Sequence, residues 1–283
     1  MYIIFFDIAI LFLIAIFKTD NLNDSGLYTI THNADSTLQI GATESVTEYR
    51  YRGASPKNYV SFNNETWRII GVFPTEDENG NIENRIKLIR NESIVTYKWD
   101  SNGYNNWTGA SLNTYLNGDY YNTLTSEAQS MISSSKYYLG GYNATSQTSQ
   151  DMYSYERKIS GSNYYYGSNP TNWVGKLGIM YLSDYGYASS NCENKRIYDK
   201  NSSSNDIRAC NTTNWLFKSI NEWILPQNAS GSFNAFSVGS VGVVLSGIVG
   251  GDQNGVRPVL YLISSAQITG GNGTSSSPYT LGL

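Results

Sequence analysis

Asn58-Tyr59-Val60-Ser61-Phe62-Asn63-Asn64-Glu65-Thr66-Trp67-Arg68-Ile69-Ile70-Gly71-Val72-Phe73 reads as two β-strands joined by a two-residue turn. Asn tolerates the left-handed backbone that a tight hairpin needs, so Asn63-Asn64 predicts a reversal. Trp67 and Ile69 fall on one face of the second strand, Ile70 and Val72 on the other. A strand apolar on both faces is expected to be central and covered on each side. Pro74 is expected to end it. Asn79-Gly80 then turns the chain into Arg85-Ile86-Lys87-Leu88-Ile89-Arg90, the third strand of a meander. The stretch Asp77 to Asn81 is read as that hairpin turn and not as a calcium loop, because Ile82 stands where such a loop needs Gly.

Downstream, Leu112, Tyr115, Leu116, Met131 and Ile132 recur at helical spacing, with Thr108 or Ser111 as N-cap. Gly118-Asp119 divides this region, and a second helix is expected from Thr125. Residues 137–170 show no period and read as a long loop excursion. Short apolar runs return at Gly178 to Ser183, Asn214 to Leu216, Glu222 to Pro226, Phe233 to Val238 and Val241 to Val249, the last read as a Gly-interrupted strand pair. Val256 to Leu262 follows, its Pro258 marking an edge position or a strand start. The fold class predicted is α+β: antiparallel sheets, one or two helices and long loops.

Sixteen of the first seventeen residues are apolar, broken only by Asp7. At about 1.5 Å per residue the run is slightly short of a hydrocarbon core. It lacks the basic start and small-residue exit of a cleaved signal peptide, so residues 1–18 are expected to be an uncleaved membrane anchor, with a cleaved signal segment the alternative. Residues 19–49 are polar and without period and are read as a stalk. Residues 50–283 are then the extracellular domain, with a Tyr/Asn/Ser-rich insertion near 137–170. Charged residues make up 15% of the chain, the formal net charge is −4 and no basic patch occurs, which argues against nucleic acid as a partner. Cys192 and Cys210, the only cysteines, are expected to form a disulfide, as a pair in an exported chain does.

The segments Tyr59 to Val72, Ser111-Leu112-Asn113-Thr114-Tyr115-Leu116-Asn117, Gly255-Val256-Arg257-Pro258-Val259-Leu260-Tyr261-Leu262 and Gly273 to Leu281, in that order, resemble a large family of exported surface proteins of low-GC Gram-positive gut bacteria. The resemblance implies a C-type-lectin-like fold, in the version used by formylglycine-generating enzymes and by diversified receptor-binding proteins. Those enzymes work through a C-terminal cysteine pair; none follows Cys210, so that activity does not carry over. The Glu-Pro-Asn and Trp-Asn-Asp triplets of calcium lectins are absent too, and Pro226-Gln227-Asn228 and Lys98-Trp99-Asp100 only echo them.

Eleven tyrosines lie between Tyr137 and Tyr187, interleaved with Asn, Ser and Gly. Tyr offers contact area at low entropic cost, and Ser, Gly and Asn offer adaptable hydrogen bonds, a mixture suited to sugar faces and protein epitopes. Candidate ligand-binding residues are Tyr164, Tyr165, Tyr166, Tyr185, Tyr187 and the tryptophans in polar settings, Trp99, Trp107 and Trp173. Trp67, Trp215 and Trp223, in apolar runs, are read as core. Asp184, Asp252 and Asn254 carry oxygen that calcium accepts but are read as turn caps. Asp151, Glu156, Asp184, Glu193 and Glu222 could supply a carboxylate pair, yet nothing in the spacing selects two of them. Arg257 is read as structural. No metal or cofactor is expected. The functional expectation is a non-catalytic ligand-binding protein or adhesin on the outer face of the membrane, or secreted, recognising a glycan or a cell-surface protein. A structural, pilin-like subunit is the alternative, and an enzyme ranks below both.

Overall fold

In the computed structural model, which describes residues 27–142, 147–197 and 210–283, the first elements are strands β1 (Leu27–His32) and β2 (Val46–Tyr51). They pair antiparallel from Leu27↔Tyr51 to His32↔Val46, and β2 docks on the central strand of the molecule. This corrects the expected stalk: residues 27–49 belong to the folded domain. The expected anchor at 1–18 lies outside the described residues. Among the described residues no helix is long and apolar enough to cross a membrane.

The predicted meander follows: β3 (Tyr59–Phe62), β4 (Glu65–Glu76) and β5 (Ile82–Arg90). Asn63 and Asn64 take φ of 54° and 57°, the left-handed pair that the turn requires. Every residue from Trp67 to Phe73 is buried, so β4 is covered on both faces as expected. Pro74 does not end it; the strand runs on and pairs Pro74 with Asn84, the missing N–H costing little on this outlying stretch. Asp77 closes the turn by accepting from the Asn79 and Asn81 N–H groups.

Next come β6 (Val95–Tyr97), helices α1 (Ser111–Tyr115) and α2 (Ser126–Met131), and β7 (Ser135–Tyr138). A π turn over Leu116–Tyr120 separates the helices at Gly118-Asp119, and Thr125 caps α2 through the Ala128 N–H. Helix α1 has no side-chain cap of its own; the Asp100 carboxylate accepts from the Ser111 N–H instead. The expected irregular excursion at 137–170 contains helix α3 (Ser149–Glu156), opened by a Thr148/Asp151 capping box. After it lie β8 (Asn172–Gly175), β9 (Leu177–Gly178), α4 (Leu182–Tyr187), α5 (Ser190–Glu193), β10 (Glu222–Gln227), β11 (Asn234–Val238), β12 (Val244–Ile248), β13 (Asn254–Val256), β14 (Val259–Tyr261), β15 (Gln267–Gly270) and β16 (Tyr279–Gly282). Val241 to Val249 thus supplies one strand and not two.

Among the described residues the main sheet has the order β15-β16-β3-β4-β5-β14-β9, with the β1–β2 hairpin on β4; a second sheet runs β12-β11-β10-β13-β6, and β7 pairs β8. Gly255 to Leu262 crosses between the two large sheets. Pro258 sits at the crossing and immediately precedes β14, which lies inside the main sheet between β5 and β9 and not at an edge. The class is α+β, with one apolar core holding Trp67, Trp215 and Trp223 as expected.

Cys192 and Cys210 are bonded, their Cα atoms 5.6 Å apart and both residues buried. Most of the loop they close lies outside the described residues. Cross-linking residues 18 apart is expected to stabilise the fold by about 3 kcal/mol. Thiol labelling before reduction should therefore find no reactive cysteine, and unfolding in urea should shift by that amount on reduction.

Candidate functional site

The three tryptophans singled out for their polar neighbours do come together. The Trp99 and Trp107 rings meet edge to face with centroids 5.3 Å apart, and Trp173 meets Trp107 at 6.2 Å. Trp99 and Trp107 are 0% and 2% exposed, so they anchor the loop from inside and offer no face to a ligand. The polar residues between them tie the backbone down. Asp100 accepts from the Tyr104 and Ser111 N–H groups. Asn105 donates its amide to the carbonyls of Gly231 and Asn234 and accepts from Asn169.

Burial likewise removes Tyr165, Tyr185 and Tyr187 from the candidate ligand residues. Their hydroxyls donate to Lys158 O, Gly242 O and Gln150 Oε1, which pays the cost of bringing a phenol into the core. Tyr164 is half-buried against Tyr155, Trp173 is half-buried, and Tyr166 is exposed.

The loop anchored by Trp99 and Trp107 instead presents tyrosines that sequence reasoning missed. Tyr97, at the end of β6, and Tyr115, at the end of α1, stack with centroids 5.0 Å apart and planes 15° apart. With Asn102, Ser111, Thr114 and Asp119 they line an open cleft of about 280 Å³. Tyr104, beyond Gly103 in the same loop, is 62% exposed. Tyr115 could have been found, because it borders the apolar face set by Leu112 and Leu116. Tyr97 gives no local signal. The cleft combines an aromatic wall with hydroxyl, amide and carboxylate groups, which suits a neutral ligand carrying both an apolar face and hydroxyls.

A second cluster, also unforeseen, lies inside the domain where the β1–β2 hairpin meets β5, α3 and α4. Glu48, Arg50, Lys87, Glu156, Arg157 and Asp184 are all at most 4% exposed. Arg50 donates Nε to Glu48 Oε1 at 2.5 Å and Nη1 to Asp184 Oδ1 at 2.9 Å. Lys87 Nζ reaches Asp184 Oδ2 at 2.5 Å, and Arg157 Nη1 reaches Glu156 Oε2 at 2.9 Å. His32 lies flat on Tyr153 at 3.4 Å, its ring nitrogens facing Glu48 and Gln150.

Burial pushes the Glu48 carboxyl up, but Arg50 and His32 more than offset it and hold the group at about 2. Burial acts upward on Asp184 too, and Lys87 and Arg50 keep it below the usual carboxylate range. In Glu156 burial prevails over Arg157 and Ser183, and its carboxyl is raised. Burial also depresses the Lys87 amine to about 8 against the pull of Asp184. Glu48 titrates near 4.5 when unfolded and near 2 when folded, so the unfolded chain binds more protons across that window. Its contribution, present above the unfolded value, is lost progressively as pH falls from there through the folded value, by up to about 3 kcal/mol in all. Asp184 acts in the same direction and Glu156 against it. Urea unfolding between pH 7 and pH 3 should show a shallower loss for Glu48→Gln than for the parent chain.

The other carboxylates considered for catalysis are engaged as well. Asp151 closes the α3 capping box, Glu193 pairs with Arg52, and Glu222 holds Arg257. Asp252 accepts from the Ile248 N–H, the turn-capping role read from sequence. Among the described residues no group of three or more His, Cys, Asp or Glu side chains could hold a metal ion. No curated protein and no solved structure matches the chain. Residues 83–264, which run from β5 through β14 and so take in the cleft, match a protein family described as Domain of unknown function (DUF6273), and because the match spans more than half of its length the chain belongs to that family.

Proposed function

We propose that the chain is a non-catalytic ligand-binding protein or adhesin displayed outside the cell, held to the membrane through residues 1–18, which recognises a glycan in the cleft walled by Tyr97 and Tyr115. The observation that carries this reading is the stacked tyrosine pair opening on to Asn102, Ser111, Thr114 and Asp119. The C–H face of a pyranose packs on an aromatic ring, while planar amide and carboxylate groups bond adjacent hydroxyls. The bonded Cys192–Cys210 pair supports an oxidising location. The C-type-lectin-like fold implied by the sequence resemblance is part of the proposal. The α+β class and the seating of the last strand, β16, beside the early strand β3 support it.

A glycan array probed with the purified full chain tests the reading. A defined sugar should bind, and a calcium chelator should not release it. Tyr115→Ala and Asp119→Asn should each weaken binding by about tenfold, the equivalent of 1.4 kcal/mol. Tyr164→Ala should leave it unchanged. Binding that survives both cleft substitutions would place the ligand elsewhere.

A further inference from the structure

The Lys87–Asp184 contact is more than an ion pair by its setting. The two residues are 97 positions apart, on β5 and α4, and both are at most 1% exposed. The Lys87 Nζ lies 4.3 Å from the centroid of the Tyr181 ring and 5.4 Å from those of Phe73 and Tyr261, an aromatic shell that keeps water out. Both Asp184 oxygens are fixed: Oδ1 by Arg50, Oδ2 by Lys87 and by the Tyr181 N–H at 2.9 Å. An amine and a carboxyl are thus pressed together, oriented and dry.

We infer that Lys87 and Asp184 condense into an intramolecular amide that bonds β5 covalently to α4. The step begins when an ammonium proton passes from Nζ to Oδ2 along their hydrogen bond, leaving a neutral amine and a neutral acid. The Nζ lone pair attacks Cγ, and the carbonyl π pair moves to Oδ1, where Arg50 Nη1 meets the developing charge. A proton on Nζ then transfers to the Oδ2 hydroxyl. The Cγ–Oδ2 bond breaks with its electron pair, water leaves, and the Oδ1 pair restores the carbonyl. One Nζ–Cγ bond forms, one water is released, and nothing is oxidised or reduced.

Three observations favour the product. Holding the two groups in contact replaces an encounter between free reactants, the advantage measured as effective molarity. The cluster opposes three cations, Arg50, Lys87 and Arg157, to three carboxylates, Glu48, Glu156 and Asp184. Condensation removes one of each, leaving the remaining charges balanced and abolishing a buried ion pair whose desolvation is costly. The depressed Lys87 amine sits nearer the neutral form that attacks. Against these, Arg50 and Lys87 hold Asp184 ionised, so the first proton transfer is the uphill step. The condensation is therefore a slow, single-turnover event that follows folding.

Intact-mass measurement of the full chain, reduced and denatured, tests the bond. After prolonged incubation in the folded state the chain should be lighter than its sequence mass by one water. Proteolysis should release a branched peptide joining Lys87 to Asp184. Lys87→Arg keeps the charge and cannot form this amide, so its mass should match its sequence. A parent chain of full mass after incubation overturns the inference, as does a water loss that persists in Lys87→Arg.

Discussion

Glu222→Ala is expected to cost the fold about 3–5 kcal/mol, the penalty for leaving a buried charge without its partner. Arg257 is 0% exposed and Glu222 is 2% exposed. The guanidinium donates Nε and Nη2 to the two carboxylate oxygens at 2.7 and 2.8 Å, and Nη2 also reaches Leu216 O at 2.7 Å. The pair sits where the chain crosses from β13 to β14, hence from one large sheet to the other, and Glu222 is the β10 residue paired with Gly255. Burial raises the Glu222 carboxyl, and Arg257 works against that rise. An arginine has no such escape, because it does not lose its proton within a protein. Truncating Glu222 thus strands a cation in the core. Replacing both partners with apolar residues of similar volume, Arg257→Met with Glu222→Leu, should restore most of the stability. Urea unfolding of the parent, the single and the double variant measures both effects. A single variant within 1 kcal/mol of the parent, or a double variant as unstable as the single, would mean that the pair does not hold the crossing.

What could be read in advance follows from which residues a buried face uses. The β3–β4–β5 meander was legible because Trp67, Ile69, Ile70 and Val72 put apolar side chains on both faces, and Asn63-Asn64 names its own turn geometry. The β1–β2 hairpin was not, because the residues it buries at the ion cluster are His32, Glu48 and Arg50, a pattern that looks like a solvated stalk. Helix α3 was hidden for the same reason. Its buried positions, Ser149, Met152, Tyr153 and Glu156, fall at helical spacing, but two of the four are polar. Beside the candidate cleft the sequence singled out a loop whose tryptophans, Trp99 and Trp107, are buried and line no open surface. Asn and Asp beside Trp99 and Trp107 suggested exposure, yet Asp100 and Asn105 are themselves buried at 2% and serve the backbone. Tyr is the hardest residue to place from sequence, since its ring favours the core and its hydroxyl needs only one partner there.

Gly71→Ala is expected to unseat the β1–β2 hairpin. Gly71 is the β4 residue opposite Arg50, just past a bulge that follows Ile69. A Cβ at this position would stand 2.0 Å from Tyr49 O, 3.0 Å from Tyr49 C and 3.1 Å from Arg50 Cα. All three atoms are backbone, so no side chain can rotate away and β2 itself must move. Its movement carries Glu48 and Arg50 away from Asp184 and leaves the Lys87–Asp184 pair facing an opened cluster. We expect a loss of about 3 kcal/mol, at the upper end for an inserted methyl group because the clash is with main chain. In hydrogen exchange, amides of β1 and β2 should lose about a hundredfold in protection, while those of β3, β10 and β11 keep theirs. Gly118→Ala is the matched control. A Cβ there meets nothing within 4 Å, so that variant should be neutral or slightly stabilising. A Gly71→Ala chain whose hairpin amides remain as protected as the parent's would show that the hairpin is held by its side-chain cluster alone, and that its close backbone approach to β4 is dispensable.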